Sequence, residues 1–361
     1  MYAVYNFTPE IMSEEPWIAE LLSDIPISRH ETRDLRSSRS APPGRKRRFA
    51  IFLQSLLPGR LRPARRRILR VFAPHDHCIC VYNTWFLDYA VRTELAEVLS
   101  RFDDVGIVSV DEPSRDRQRA YDRVTFAVRI GFDGEQYRDV PNLIVAPLGV
   151  PMQFVPPAEI APLTSRRYAW SFLGEIKNPT RQAMVDHLEG VRGESFVHSI
   201  PTWNGDDSMR GAAYSEILAD SIFVPSPRAN VHQECYRTYE ALECGAIPIV
   251  ESAYYREAFE APFPIVRSDW GDAAEILNAL LDDPAELQRL DERCRVWWAD
   301  VKCEYPRKIA ALSLHATPSQ APSAGRGAGR DADRDAAGGR ERRDRPARAG
   351  STRRPRRRTG A

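Results

Sequence analysis

Apolar residues along this chain come in two rhythms. Short continuous or alternating runs bounded by Gly, Pro, Asn and Asp predict strands, and runs recurring every three or four positions predict helices. In the first half the runs Tyr2 to Phe7, Ile25 to Ser28, Cys78 to Asn83, Val105 to Val110, Val124 to Ile130 and Asn142 to Val150 read as strands. Helical periodicity covers Pro16 to Ser23, through Trp17, Leu21 and Leu22, and Thr84 to Ser100, through Leu87, Val91, Leu95 and Val98. The second half alternates more cleanly. Strands at Ala169 to Leu173, Ser195 to Ile200, Ile222 to Val224, Ile247 to Val250 and Pro264 to Val266 are interleaved with helices. Those helices are expected at Pro179 to Leu188, Asp207 to Leu218, a segment ending at Gly245, Tyr254 to Phe259 and Asp272 to Leu281. Pro284 to Leu314 reads as helical, with Leu287, Leu290, Trp297, Trp298 and Ile309 able to pack. Strand–helix alternation at this pace implies an α/β fold with parallel sheets covered on both faces.

A length of 361 residues with 43% apolar composition can supply two cores. Pro151, Pro156, Pro157 and Pro162 mark a connector, so the expected organisation is a domain over residues 1–150, a proline-rich hinge over 151–167 and a second domain over 168–316. Residues 317–361 are Gly, Ala, Arg, Asp and Pro with almost no large apolar side chain, the composition of a disordered basic tail.

Charge changes the picture. The net charge of +1 conceals a tail with 13 Arg against 5 Asp+Glu, and hence a mildly acidic remainder. A second basic block, the insert at about 29–70, carries 14 Lys+Arg against Glu31 and Asp34. Within it the apolar stretch Phe49 to Leu57 lies between cationic flanks, so an anionic membrane surface is a candidate partner through Arg45 to Arg70. The alternative is a solvated charge run beside one core helix. Nucleic acid is not an expected partner, because no RNA-recognition signature accompanies the charge. No apolar run reaches the ~18 residues of a membrane span, no leader pattern opens the chain, and six scattered cysteines fit reduced buried thiols. The expected location is cytoplasmic, at the inner face of a membrane if the basic insert docks there.

Metal chemistry finds little support. Asp-x-Asp occurs only at Asp331/Asp333 and Asp333/Asp335, inside the tail, and strand alternation sends His75 and His77 to one face and Cys78 and Cys80 to the other. No metal and no resident cofactor are expected.

The most informative stretch runs from Ser221 to Glu251: a strand, the punctuation Pro225-Ser-Pro227, a helix ending at Gly245 and a second strand. At 3.6 residues per turn Arg237 and Glu240 are neighbours, and Cys235, Tyr239 and Leu242 fall on an apolar face. Arg237 and Glu240 sit beside a helix N-terminus whose free N–H groups favour an anion, and Arg228 in the preceding loop adds charge. A diphosphate fits there, with Glu240 placed to accept hydrogen bonds from vicinal hydroxyls. The plain alternative is an exposed ion pair worth about 0.3–0.5 kcal/mol. In an open parallel sheet ligands bind at the carboxyl ends of the strands. Those ends present Gly174 to Lys177, Pro201 to Asn204, Ser226 to Arg228, and Glu251-Ser252. Gly174 permits close backbone approach to a phosphate, and Lys177 with Arg181 can neutralise it.

The pattern Ser-x-Phe-x-x-x-Pro-Arg228, a polar loop, then Arg237-Thr-Tyr-Glu240-Ala-Leu-Glu-x-Gly245-Ala-Ile-Pro-Ile-Val250 resembles the donor-binding segment of the exostosin family of glycosyltransferases, as do Phe172-Leu-Gly174 and Arg181. The resemblance implies the GT-B architecture of two facing Rossmann-like domains, the first on the acceptor side and the second binding the donor. It implies transfer of a sugar from a nucleoside-diphosphate sugar, UDP-linked, to a glycan or glycolipid hydroxyl by direct displacement. Donor-binding residues are then Gly174, Lys177, Arg181, Ser226, Arg228, Arg237 and Glu240. The base is unassigned, with Asp88 a weak candidate. A retaining pattern of two glutamates spaced eight apart is not met, since His232 stands opposite Glu240. A fucosyltransferase-like enzyme using a GDP-sugar and a catalytically silent adaptor remain as alternatives.

Overall fold

The computed structural model describes residues 1–7, 15–32, 77–83, 95, 99, 104–110, 124–131, 140–176, 179–201, 207–229, 234–251, 265 and 267–315. The predicted tail at 317–361, most of the basic insert, the helix at Tyr254 to Phe259 and most of the helix at Thr84 to Ser100 lie outside these residues, as do Asp88 and Lys177.

Among the described residues six strands make the first sheet: β1 (Tyr2–Asn6), β2 (Ile27–Thr32), β3 (Cys78–Asn83), β4 (Val105–Val110), β5 (Phe126–Ile130) and β6 (Leu143–Ala146), in the order β2-β1-β3-β4-β5-β6. Five make the second: β7 (Tyr168–Glu175), β8 (Glu194–Ile200), β9 (Ser221–Ser226), β10 (Ile247–Glu251) and β11 (Arg267–Ser268), in the order β8-β7-β9-β10-β11 when read from the other edge. Every pairing is parallel. Both sheets therefore follow one plan, in which the chain first moves one way from its opening strand and then the other. The reversal, between β1 and β3 and again between β7 and β9, is where the carboxyl ends of an open sheet leave a crevice.

The sequence explains why these strands are central. β4 and β5 are buried along their whole length, as the near-continuous apolar runs of a doubly covered parallel sheet require. Alternation sorts their side chains. Cys78, Cys80, Ile107 and Ala127 share one apolar cluster, and Ile79, Val81, Val108 and Val128 face the other way into a larger one. His77, exposed, pairs with Asp104 at 3.1 Å instead of joining the cysteines.

The helices are α1 (Glu15–Leu21), α2 (Pro179–Leu188), α3 (Gly211–Ala219), α4 (Tyr236–Glu243), α5 (Ala273–Asp282) and α6 (Pro284–His315). α6 packs on α1, β5 and β6 of the first sheet's layer and on α4, α5 and β10 of the second. Its anchor is Trp298, whose ring lies 5.4 Å from Trp17 and 5.3 Å from Tyr239 between centroids, and whose indole N–H donates to Glu243 at 2.7 Å. Trp17 in turn donates to the Pro147 carbonyl at 2.8 Å. Gly149, with φ of +68°, passes so close that an added Cβ would lie 2.4 Å from the Trp17 ring.

Three boundaries differ from expectation. The helix expected from Asp207 starts at Gly211, because φ at Gly211 is +61° and the four residues before it are not helical. The strand expected at Pro264 to Val266 is instead β11, pairing Arg267 and Ser268 with Val250 and Glu251. Cys235, expected on the apolar helix face, is the extended N-cap residue of α4.

Candidate functional site

α4 owes its position to its two ends. At its C-terminus Gly245, with φ of +65°, lets its own N–H reach the Leu242 carbonyl at 3.0 Å while Ala246 N–H reaches Ala241 at 2.8 Å, a Schellman stop that turns the chain directly into β10. At its N-terminus the N-cap residue Cys235 makes no side-chain cap hydrogen bond, and this end of the helix stands at the carboxyl edge of the second sheet.

Arg237, in the first turn of α4, lies across that edge. Its Nη2 donates to the Leu173 carbonyl at 2.7 Å, its Nη1 to the Cys235 sulfur at 3.7 Å, and the guanidinium stacks 4.5 Å above the Phe172 ring. The Nε atom is buried and has no partner. Gly174 makes this approach possible, since a Cβ there would be 2.6 Å from Nη2. One turn further on, Glu240 is buried and accepts a hydrogen bond from the Tyr214 hydroxyl of α3 through Oε2 at 2.6 Å. Arg181, on α2, is also buried. It donates to the carbonyls of Glu175 at 2.9 Å and Arg228 at 3.4 Å and keeps a buried, unpartnered Nε.

The electrostatics follow from these contacts. Burial raises the Glu240 pKa above the ordinary carboxylate value, while the Tyr214 hydrogen bond and the Arg237 charge work against that rise. Burial also disfavours charge on Arg237, but Cys235, Tyr214 and Glu240 more than offset it and its pKa is raised. Arg181 moves the other way, lowered first by burial and further by the like charge of Arg237. Tyr214 is pushed well above its ordinary value by burial and by Glu240, so it remains a neutral donor.

Around these groups opens a pocket of about 780 Å³, its mouth included. Gly174, Cys235, Arg237, Glu240 and Tyr214 form a polar side, and Phe154, Leu173, Ile200, Met209 and Pro151 an apolar one. Ser208, whose buried hydroxyl has no partner, and Arg210 border the N-terminus of α3 at the same hollow. So does His198, whose Nε2 faces the Asp207 carbonyl at 2.8 Å and so carries the proton on that nitrogen.

Of the residues singled out in the sequence, the fold brings Gly174, Arg237 and Glu240 together in the pocket wall, with Arg181 beside Arg237. Glu240 is 9% exposed, so the surface-pair alternative does not describe it. Arg237 and Glu240 also do not bond to each other. Arg237 binds a strand carbonyl and Glu240 binds Tyr214. Ser226 and Arg228 are not part of the wall: Ser226 is buried and turns its hydroxyl to the Val224 carbonyl at 3.5 Å, and Arg228 is exposed, its backbone N–H donating to Glu251 at 3.2 Å. Tyr214, Cys235 and His198 are pocket residues that sequence reasoning did not select. A buried carboxylate needs a donor, which is a signal for a residue like Tyr214, but no spacing rule says which hydroxyl supplies it.

Among the described residues no group of three or more His, Cys, Asp or Glu side chains could hold a metal ion, and no helix is long and apolar enough to cross a membrane.

Residues 152–282 match the family model described as the RXYLT1 C-terminal domain, a span that holds every pocket-lining residue except Pro151. Over 90 residues, 24% of the chain, the sequence is 33% identical to ribitol-5-phosphate xylosyltransferase 1 of Danio rerio, and the match spans 20% of that relative's length. Among solved structures, an α1,3-fucosyltransferase superposes with a TM-score of 0.43 at 10% identity, over 86% of this chain and 91% of that one. The segment that builds the pocket is thus the segment that resembles a sugar-transferring enzyme family.

Proposed function

We propose that the chain is a glycosyltransferase that moves a sugar from a nucleoside-diphosphate sugar to a hydroxyl of a glycan or glycolipid. One observation carries this reading. A guanidinium fixed by a strand carbonyl and an aromatic face keeps a buried, unpartnered Nε in the first turn of α4, beside a buried carboxylate, in the wall of an open pocket. The similarity of residues 152–282 to the RXYLT1 C-terminal domain supports the same class.

In this reading the departing diphosphate is stabilised by Arg237 and Arg181, with Lys177 as the third cation of the set. Tyr214 occupies Oε2 of Glu240, and Oε1 remains to accept the vicinal hydroxyls of a ribose. Transfer proceeds by direct displacement: the acceptor hydroxyl gives up its proton to a base or to solvent as its oxygen bonds to the anomeric carbon and the bond from that carbon to the diphosphate breaks, and no metal is needed to hold the leaving group. The donor nucleotide is UDP in the exostosin-like form of this proposal and GDP in the fucosyltransferase-like form. Docking of residues 45–70 on an anionic membrane at its cytoplasmic face belongs to the same proposal.

The test is a thermal-shift panel of UDP- and GDP-sugars on the full chain, followed by calorimetry with the best binder. A rise in Tm with a nucleotide sugar, abolished by Arg237→Ala in a folded protein, is the expected result. Undiminished affinity in that variant removes the site, and a panel with no binder leaves a scaffold without donor chemistry.

A further inference from the structure

Tyr214 lies on α3, outside the strand–helix–strand unit that carries Arg237 and Glu240, yet its hydroxyl makes the 2.6 Å hydrogen bond that fixes the Glu240 carboxylate. Resting on the glycosyltransferase reading, we infer that Tyr214 is a positioning residue for the donor: its O–H holds Oε2 of Glu240 so that Oε1 stays in the pocket as an ionised acceptor for a ligand hydroxyl. The hydroxyl also interacts with Arg237, so it stands between the two charged groups of the pocket wall. Tyr214 and Glu240 both line the pocket, Tyr214 rises from the helix that follows β8, and Glu240 sits one turn into the helix that follows β9, so the bond ties together two elements 26 residues apart.

A buried carboxylate requires such a tie. Several titratable or charged groups face Glu240: Tyr214 from α3, Arg237 from its own helix, Cys244 at the end of α4, and Cys235, His198 and Arg210 around the hollow. Only Tyr214 donates a hydrogen bond to it among the described residues. Burial favours the protonated acid, and Tyr214 and Arg237 favour the ionised form. Removing the hydroxyl therefore moves the protonation of Glu240 to higher pH. A protonated Glu240 would offer a ligand a donor where the proposed contact needs an acceptor.

The experiment compares wild type, Tyr214→Phe, Glu240→Gln and the double variant. Each is assayed by calorimetry with the nucleotide sugar found in the thermal-shift panel and with the nucleoside diphosphate alone, across about pH 5–8. Tyr214→Phe is expected to weaken donor binding about tenfold at neutral pH, the usual worth of a hydrogen bond to a charged group. It is also expected to shift the acid limb of the affinity profile upward, so that affinity recovers as pH rises. Glu240→Gln is expected to bind weakly with no such limb, and adding Tyr214→Phe to it is expected to cost nothing further. The inference is overturned if Tyr214→Phe keeps the wild-type acid limb, or if the two substitutions weaken binding additively. If the wild type itself binds no nucleotide sugar at any pH, it is the glycosyltransferase reading that fails.

Discussion

Two arginines, Arg166 buried and Arg237 half-buried, stand at opposite edges of the second sheet. Arg166, at the amino edge just before β7, spends all three nitrogens on backbone carbonyls: Nε and Nη2 on Ala161 at 3.1 and 3.0 Å, and Nη1 on Ser221 at 2.7 Å. Arg237, at the carboxyl edge, anchors its Nη2 on Leu173 and leaves Nε unused. Arg166 and the Nε of Arg237 are both out of water, but only the first is satisfied by the protein. A saturated guanidinium fastens chain to chain, here the connector to the start of β9. An unsaturated one held rigid at a hollow is available to a ligand. That the spare donor lies at the carboxyl edge agrees with the general siting of ligands in open parallel sheets.

Substitutions can break this contrast. The largest expected effect is Arg237→Ala, a loss of at least about a hundredfold in nucleotide-sugar affinity, about 2.7 kcal/mol, with a smaller loss of stability than Arg166→Ala because one carbonyl, that of Leu173, loses its donor instead of two; calorimetry and urea unfolding measure the two sides. Arg166→Ala is expected to do the reverse. It strips the buried Ser221 carbonyl of its donor and releases the connector, at about 2 kcal/mol of stability, while the folded fraction binds donor as wild type does. Gly245→Ala is expected to cost about 1–2 kcal/mol for an alanine in the left-handed region. Its methyl would also stand 2.6 Å from Ile160 and 3.1 Å from Arg166 Nη2, so unfolding midpoints of Gly245→Ala and Arg166→Ala should combine less than additively.

The smallest effect sharpens the comparison at the carboxyl edge. Glu240 has a folded-state pKa above its unfolded one, so its favourable contribution is complete below about pH 4.3 and is lost as pH rises through the folded value. Glu240→Gln removes that loss. The variant is expected to melt at or slightly above the wild-type Tm at neutral pH and to converge with it in acid, measured by calorimetric scans across that range. Weak donor binding together with undiminished stability is the mark of a group kept for a ligand.

Much of this could be read in the chain beforehand. The β9–α4–β10 unit announces itself through Pro225, Pro227 and Gly245, because each imposes a backbone state that its neighbours do not share. The strand plan of both halves follows from apolar runs such as those of β4 and β5. Arg237, Glu240 and Gly174 were within reach as a motif. The pairing was not: that Arg237 would bond to Leu173, 64 residues back, and Glu240 to Tyr214 depends on how α3 and β7 pack, and sequence separation carries no trace of it. Ser226 and Arg228 lie outside the pocket wall. Both sit at a strand end, which favours a site, but β9 finishes with its hydroxyl turned back on its own backbone and with its arginine in solvent. Periodicity extends the helix back to Asp207, whereas it begins at Gly211, because a glycine with a left-handed backbone is invisible to periodicity.

The stack of Trp17, Trp298 and Tyr239 has a practical consequence. One ring comes from the first half of the chain and two from the second, and Trp297 lies 6.1 Å from Trp298 at the end of the row. Any change in the spacing of the two sheets has to slide or part indoles that touch, and indole emission is sensitive to that. The molecule thus carries its own optical gauge, readable in the native chain without an added label.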